Sequence, residues 1–89
     1  MLMHEHALMA DVMRKIDEVA QADGANRVTR VSVRLGALSH FTPDHFREHF
    51  LDASRGTFAE AALVDAVVDD DIADPRARDV VLESIEVER

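Results

Sequence analysis

Apolar residues recur at helical spacing near the start of the chain. Between Leu8 and Ala20 they gather on one broad face of a predicted helix, while the other positions are mostly charged or polar. The residues on this face are Leu8, Met9, Val12, Met13, Ile16, Val19 and Ala20. Gly24 then supplies a stop signal. The pattern predicts a first helix from about Ala7 to Asp23.

The period of the pattern changes to two after this helix. Val31, Val33 and Leu35 alternate with polar residues in the segment RVTRVSVRLGAL, which is typical of a half-buried strand that ends near Gly36. Two further strands are predicted, one beginning at Ala62 and one in the final segment VVLESIEVER. Their expected inward-facing residues are Ala62, Val64, Ala66 and Val68 in the first and Ile85 and Val87 in the second.

A second helix is predicted in the segment SHFTPDHFREHFLDASRG. Thr42 can cap its first turn, and Pro43 fits the first helical position, where the missing N–H is not needed. Asp44 adds a negative charge at the end of the helix where the dipole favours one. The buried stripe of this helix is predicted to be Phe46, Phe50 and Ala53.

The order of these elements predicts an α+β fold, with a small mixed or antiparallel sheet and two helices packed on one face. A chain of 89 residues fits one domain, so residues 1–89 are expected to form a single unit. The segment DDDIADPRARD at 69–79 is acidic and contains a proline. It is the clearest loop in the chain.

Composition and charge exclude several kinds of function. The chain has no cysteine, which excludes disulfides, thiolate zinc sites, iron–sulfur clusters and a cysteine nucleophile. Its formal net charge of -8 disfavours nucleic acid and anionic lipid as partners and is compatible with cations. The absence of a signal peptide and of a membrane-spanning apolar stretch predicts a cytoplasmic protein with no membrane partner. No serine, glycine-rich or carboxylate motif supports an enzyme.

Potential metal ligands stand at the very start of the chain. His4, Glu5 and His6 are close together, and imidazole suits nickel, copper and zinc. A free α-amine and deprotonated backbone amides can complete a square-planar nickel or copper site, which would explain consecutive ligands at a chain end. The alternative is an exposed helix start that binds nothing, and residue types alone favour this alternative.

A second group of histidines belongs to the second predicted helix. His45 and His49 are four residues apart, so their side chains lie on one face, and His40 precedes the helix. Such a pair can bind a divalent metal, but we favour a polar helix edge beside the phenylalanine stripe. The catalytic zinc motif H-E-x-x-H is absent, because the segment reads HFREH.

Several stretches taken together resemble one known family. The segment MHEHALMADVM at Met3–Met13 is similar to the start of the HypA/HybF nickel metallochaperones, which begin Met-His-Glu and continue directly into a helix. The segment ANRVTRVSVRLGALS at Ala25–Ser39 resembles the strand that follows in that family. GTFAEAALV and LESIEVE resemble its later strands and its usual ending. The resemblance covers nearly the whole chain.

The resemblance implies a nickel carrier for the maturation of [NiFe]-hydrogenase and, in some organisms, of urease. It implies transient Ni(II) bound by His4, Glu5 and the backbone nitrogen of Met3. We add His6 and His40 as candidate auxiliary ligands, which do not follow from the family pattern. The expected partner is a HypB-type GTPase or a hydrogenase large-subunit precursor. The alternative function is a metal-free HypA-like interaction module that docks on a hydrogenase or maturation subunit.

The chain departs from the family pattern in ways that affect these expectations. The family carries a zinc domain with two C-x-x-C motifs between its last two strands, whereas this chain has only the short loop 69–79 there and is expected to bind no zinc. Ala37 stands where the family commonly has an acidic residue. Met1 and Leu2 precede Met3, so a chain that keeps them carries its amine two residues before the family position.

Overall fold

The protein was analysed as a computed structural model, which describes the backbone of residues 2–89 and the side chains of residues 7–89. Its elements in chain order are α1 (Leu2–Ala22), β1 (Arg27–Leu35), α2 (Pro43–Ala53), β2 (Leu63–Val68) and β3 (Val80–Glu88). Within the described part of the chain, no helix combines the length and the apolar character needed to cross a membrane.

The three strands form one mixed sheet in the order β2-β1-β3. β1 is parallel to β2, with Val31 opposite Val64, and antiparallel to β3, with Val31 opposite Ile85. Two parallel neighbours require a crossover connection, and α2 lies within it. The predicted α+β fold is therefore confirmed, and of the two kinds of sheet expected it is the mixed one.

The hydrophobic core lies between the helices and the inward face of the central strand. Val28, Val31, Val33 and Leu35 are all at most 1% exposed. The alternation of β1 continued backwards would place Val28 on the opposite face from Val31. A register shift against β3 between Val28 and Arg30 turns Val28 inward as well. The helices and their flanks complete the core with Met9, Val12, Ile16, Ala20, Phe41, Phe46 and Phe50.

The start of α2 and the end of α1 show the capping signals that the sequence contains. Thr42 Oγ1 accepts a hydrogen bond from the backbone N–H of His45 at 3.1 Å, and Pro43 is the first residue of α2, as predicted. At the end of α1, the N–H of Gly24 bonds to the Gln21 carbonyl and the next N–H bonds to the Ala20 carbonyl. Gly24 has φ +67°. This pair of bonds around a left-handed glycine is a Schellman motif.

Four expectations about burial and boundaries were wrong. Val19, at the edge of the apolar face of α1, is 47% exposed. α1 begins at Leu2 rather than near Ala7, because the prediction followed the buried stripe, and good helix formers such as leucine, methionine and glutamate extend a helix without one. Ala53 is exposed, and the buried position passes to Ser54, which follows the last helical residue. Val68 is 47% exposed, because it ends an edge strand that is paired on one side only. The other predicted inward residues of β2 and β3 pack against the core.

The burial of α2 gives the first prediction. Phe46 is fully buried, whereas Leu51 on the same helix is 60% exposed. Phe46→Ala should lower the free energy of unfolding by about 3–5 kcal/mol, because it leaves a cavity in the core. Leu51→Ala should change it by about 0.5 kcal/mol or less. Urea unfolding of both variants measures the difference, and equal losses would contradict this orientation of α2.

Candidate metal centre

The predicted N-terminal ligands belong to the first turns of α1. Met3, His4, Glu5 and His6 lie within the range Leu2–Ala22, and their side chains fall outside the described residues. The roles predicted for those side chains therefore stay predictions. The backbone supplies one relevant fact. The first four N–H groups of an α-helix have no intrahelical acceptor, so the amides of Met3 and His4 can be recruited without breaking a helical hydrogen bond.

The turn after β1 is held in place by the loop at 69–79. The N–H of Gly36 donates to the Asp79 carbonyl at 2.9 Å, and the N–H of Leu38 donates to the Ala77 carbonyl at 2.7 Å. A Cβ atom at Gly36 would lie 2.2 Å from the Ala77 carbonyl oxygen. The close approach of these two backbones therefore requires glycine at this position and fixes where the segment leading to α2 begins.

His40 lies in the segment that leads from this turn into α2. Its φ of +68° places it in the left-handed region, which histidine adopts more readily than most residues do. Its neighbours Ser39 and Phe41 are buried, whereas His40 is exposed. The positive φ thus lets both neighbours point inward while His40 points outward. Its role as an auxiliary ligand stays a prediction.

His45 and His49 form a close pair on α2. Their Nε2 atoms are 3.0 Å apart and their ring centroids 4.6 Å apart. The ring of Phe41 lies 5.5 Å from the ring of His45 and 6.0 Å from that of His49. The sequence signal for this pair is the interval of four residues between His45 and His49, which by itself favours a polar helix edge. The packing of both rings against Phe41 brings them together.

The exposed face of the sheet is occupied by ion pairs between arginines and carboxylates. The guanidinium of Arg30 lies 2.7 Å from Asp65, and this hydrogen bond is the largest of the effects that raise its pKa. The guanidinium of Arg34 lies 3.4 Å from Asp69 and 3.5 Å from Glu83. These carboxylates already face cations of the protein itself, so this face is a poor place for a metal ion.

The acidic run of the 69–79 loop builds turns. The side chain of Asp69 accepts the N–H of Asp71, and the side chain of Asp71 accepts the N–H of Ala73. Asp74 in turn accepts the N–H of Arg76. Bonds of this kind let aspartate close a turn. Among residues 7–89, no group of three or more His, Cys, Asp or Glu side chains is placed to hold a metal ion.

Comparisons with known proteins point to one family. The family model described as "Hydrogenase/urease nickel incorporation, metallochaperone, hypA" matches residues 3–73. The chain is 35% identical over 63 residues to the hydrogenase maturation factor HypA of Chlorobium limicola and 36% identical over 63 residues to that of Methylocella silvestris. Both alignments cover 71% of this chain, and they cover 54% and 56% of the two relatives. The chain thus spans about half the length of the curated relatives it matches.

The fold is also similar to a solved structure. The solution structure of the Ni metallochaperone HypA from Helicobacter pylori matches with a TM-score of 0.75 and 16% sequence identity. The match covers 94% of this chain and 97% of that chain. At this level of identity the likeness concerns the fold alone.

The contact between the β1–α2 turn and the loop gives the second prediction. Gly36→Ala should lower the free energy of unfolding by more than Gly24→Ala does. Gly24 has φ +67° and no described atom within 4 Å of an added Cβ, so its substitution should cost about 1–2 kcal/mol for a left-handed alanine. Gly36→Ala must in addition displace the loop backbone. A smaller loss at Gly36 in urea unfolding would show that the loop does not hold the turn.

Proposed function

Because this chain belongs to the HypA family of nickel-incorporation metallochaperones, we propose that it binds Ni(II) at its N-terminus and delivers the ion during [NiFe]-hydrogenase maturation. The family match, which begins at Met3 and includes the opening Met-His-Glu, is the observation that carries the proposal. The proposed role is transfer of an ion without chemical turnover, in the cytoplasm.

The proposed nickel site combines one imidazole with backbone nitrogens. His4 supplies its imidazole and its amide nitrogen, Met3 its backbone nitrogen, and Glu5 an amide nitrogen or its carboxylate. Square-planar sites of this kind suit Ni(II). The start of α1 at Leu2 supports the nitrogens of Met3 and His4 as ligands, because these two amides have no helical bonds to lose. His6 and His40 are proposed as auxiliary ligands.

Release of the ion is as important for a carrier as binding. In the part of α1 whose side chains are described, burial begins at Met9. We place the N-terminal ligands before this residue in the chain, where nickel could enter or leave without opening the described core. The net charge of -8 attracts a cation to the protein. The proposed recipient is a HypB-type GTPase or a hydrogenase large-subunit precursor.

The loop between β2 and β3 supports a single domain without zinc. It closes its own turns with aspartate side chains and is bonded to the turn at Gly36, so the two strands are joined by a compact connection. The chain offers no thiolate ligand for zinc. We therefore propose that residues 69–79 take the place of a zinc module and that nickel is the only ion carried at the N-terminus.

Replacement of His4 tests the nickel site directly. His4→Ala should abolish nickel binding at the N-terminus, because among the principal ligands Met3, His4 and Glu5 only His4 supplies a side-chain nitrogen. The fold should survive, since all the described core residues of α1 follow this residue in the chain. Calorimetric titration with Ni(II), with circular dichroism as the folding control, measures both effects.

His49→Ala is the matched control for His4→Ala, since it removes a histidine from α2 and leaves the N-terminus intact. It should preserve the N-terminal binding. Loss of one and the same nickel equivalent in both variants would place that site on α2 or divide it between the two helices. Nickel binding by the unaltered protein no tighter than that of an unstructured histidine-containing peptide would favour the metal-free interaction module instead.

The position of the terminal amine gives a further prediction. An amine with a pKa of about 8 loses its proton far more easily than an internal amide does, and metal binding requires the deprotonated ligand. A version of the protein that starts at Met3 should therefore bind Ni(II) more tightly than one that starts at Met1, with a square-planar absorption spectrum. Paired titrations at one pH provide the comparison. Equal affinities and identical spectra would remove the amine from the site.

A further inference from the structure

The contact between His45 and His49 has the nitrogen–nitrogen separation of a chelating pair. A metal–imidazole bond is about 2.0–2.1 Å long, so two ligand nitrogens on one ion lie about 2.9 Å apart at a right angle and about 3.3 Å apart in a tetrahedral arrangement. The two Nε2 atoms are 3.0 Å apart. They therefore already have the separation that a shared ion requires.

The surroundings of the pair keep both rings in this position. His45 and His49 are half-buried, and each ring lies against the ring of Phe41. The helix that carries them is anchored by the buried Phe46 and Phe50. Side chains ordered in advance lose little conformational entropy when a ligand binds, so the packing favours chelation.

We propose that His45 and His49 together bind one late first-row divalent cation, such as Ni²⁺ or Zn²⁺, through their Nε2 atoms. Each ring then carries its proton on Nδ1, and the ion replaces the ring-to-ring hydrogen bond. Imidazole selects these ions over Mg²⁺ and Ca²⁺, which prefer oxygen ligands. Within the described residues no third carboxylate or imidazole joins the pair, and the proposal concerns these two ligands alone. This site does not depend on the proposed N-terminal one.

The test removes the N-terminal imidazoles and asks whether binding remains. The full chain with His4→Ala and His6→Ala should still bind one equivalent of Ni²⁺ in a calorimetric titration, and Mg²⁺ should not compete. Adding His45→Phe or His49→Phe should remove that equivalent. Phenylalanine keeps an aromatic ring against Phe41, so circular dichroism should show an unchanged fold. Glu48→Ala, which alters an exposed residue of the same helix, is the control and should preserve binding.

A second measurement identifies the ligand atoms. Titration of the same His4→Ala, His6→Ala protein with Zn²⁺ should shift the ¹⁵N resonances of Nε2 in both His45 and His49, while their Nδ1 resonances keep the protonated position. Absence of binding once His4 and His6 are removed would overturn the proposal, as would a shift confined to one of the two rings. Failure of the proposed N-terminal site would look different, since the unaltered protein would then bind only the equivalent that depends on His45 and His49.

Discussion

Burial of the inward face of β1 governs how the helices and the other strands are arranged. β1 is the only strand of the described sheet with partners on both sides, and its inward valines are almost completely excluded from solvent. Both helices must cover this face, because valine and leucine side chains gain free energy by leaving water. The register shift after Val28 belongs to the same constraint, since it adds one more buried side chain to that face.

The position of the histidines on and before α2 follows from the way β1 ends. At Gly36 the chain passes so close to the loop backbone that a side chain does not fit, and two hydrogen bonds fix the crossing. The chain must then bury Phe41 and begin α2 within a few residues. It does so by placing His40 in the left-handed conformation and by capping the helix with Thr42. Phe41, once buried, becomes the surface against which His45 and His49 pack.

Among residues 7–89, many acidic groups are engaged by donors of the protein itself, whereas the imidazoles offer nitrogen ligands. Aspartates of the loop accept backbone hydrogen bonds, and carboxylates on the exposed sheet face pair with Arg30 and Arg34. These groups contribute to the negative charge without forming a hard-metal site among the described residues. Imidazoles remain as the ligands suited to late first-row ions. In the proposed function this division matters, because an acidic surface attracts cations in general whereas nitrogen ligands select nickel.

Local sequence signals specify the kinds of elements and, for most of them, which face is buried. Hydrophobic periodicity, the Thr42–Pro43 helix start and the glycine at the end of α1 are local signals, and local backbone chemistry sets their outcome. The opening Met-His-Glu, read with the later segments, was enough to indicate the family, to which residues 3–73 match. The start of α1 was misplaced, because helix propensity extends beyond the buried stripe from which the helix was inferred.

Which residues meet across the fold depends on contacts between distant parts of the chain. Strand order and direction, the inward turn of Val28 and the contact of Gly36 with the 69–79 loop join segments that are far apart in the chain, and periodicity carries no information about such pairings. The same holds for the histidine pair. An interval of four residues places His45 and His49 on one face of a helix, but the burial of Phe41 between the end of β1 and the start of α2 holds their rings together at 3.0 Å.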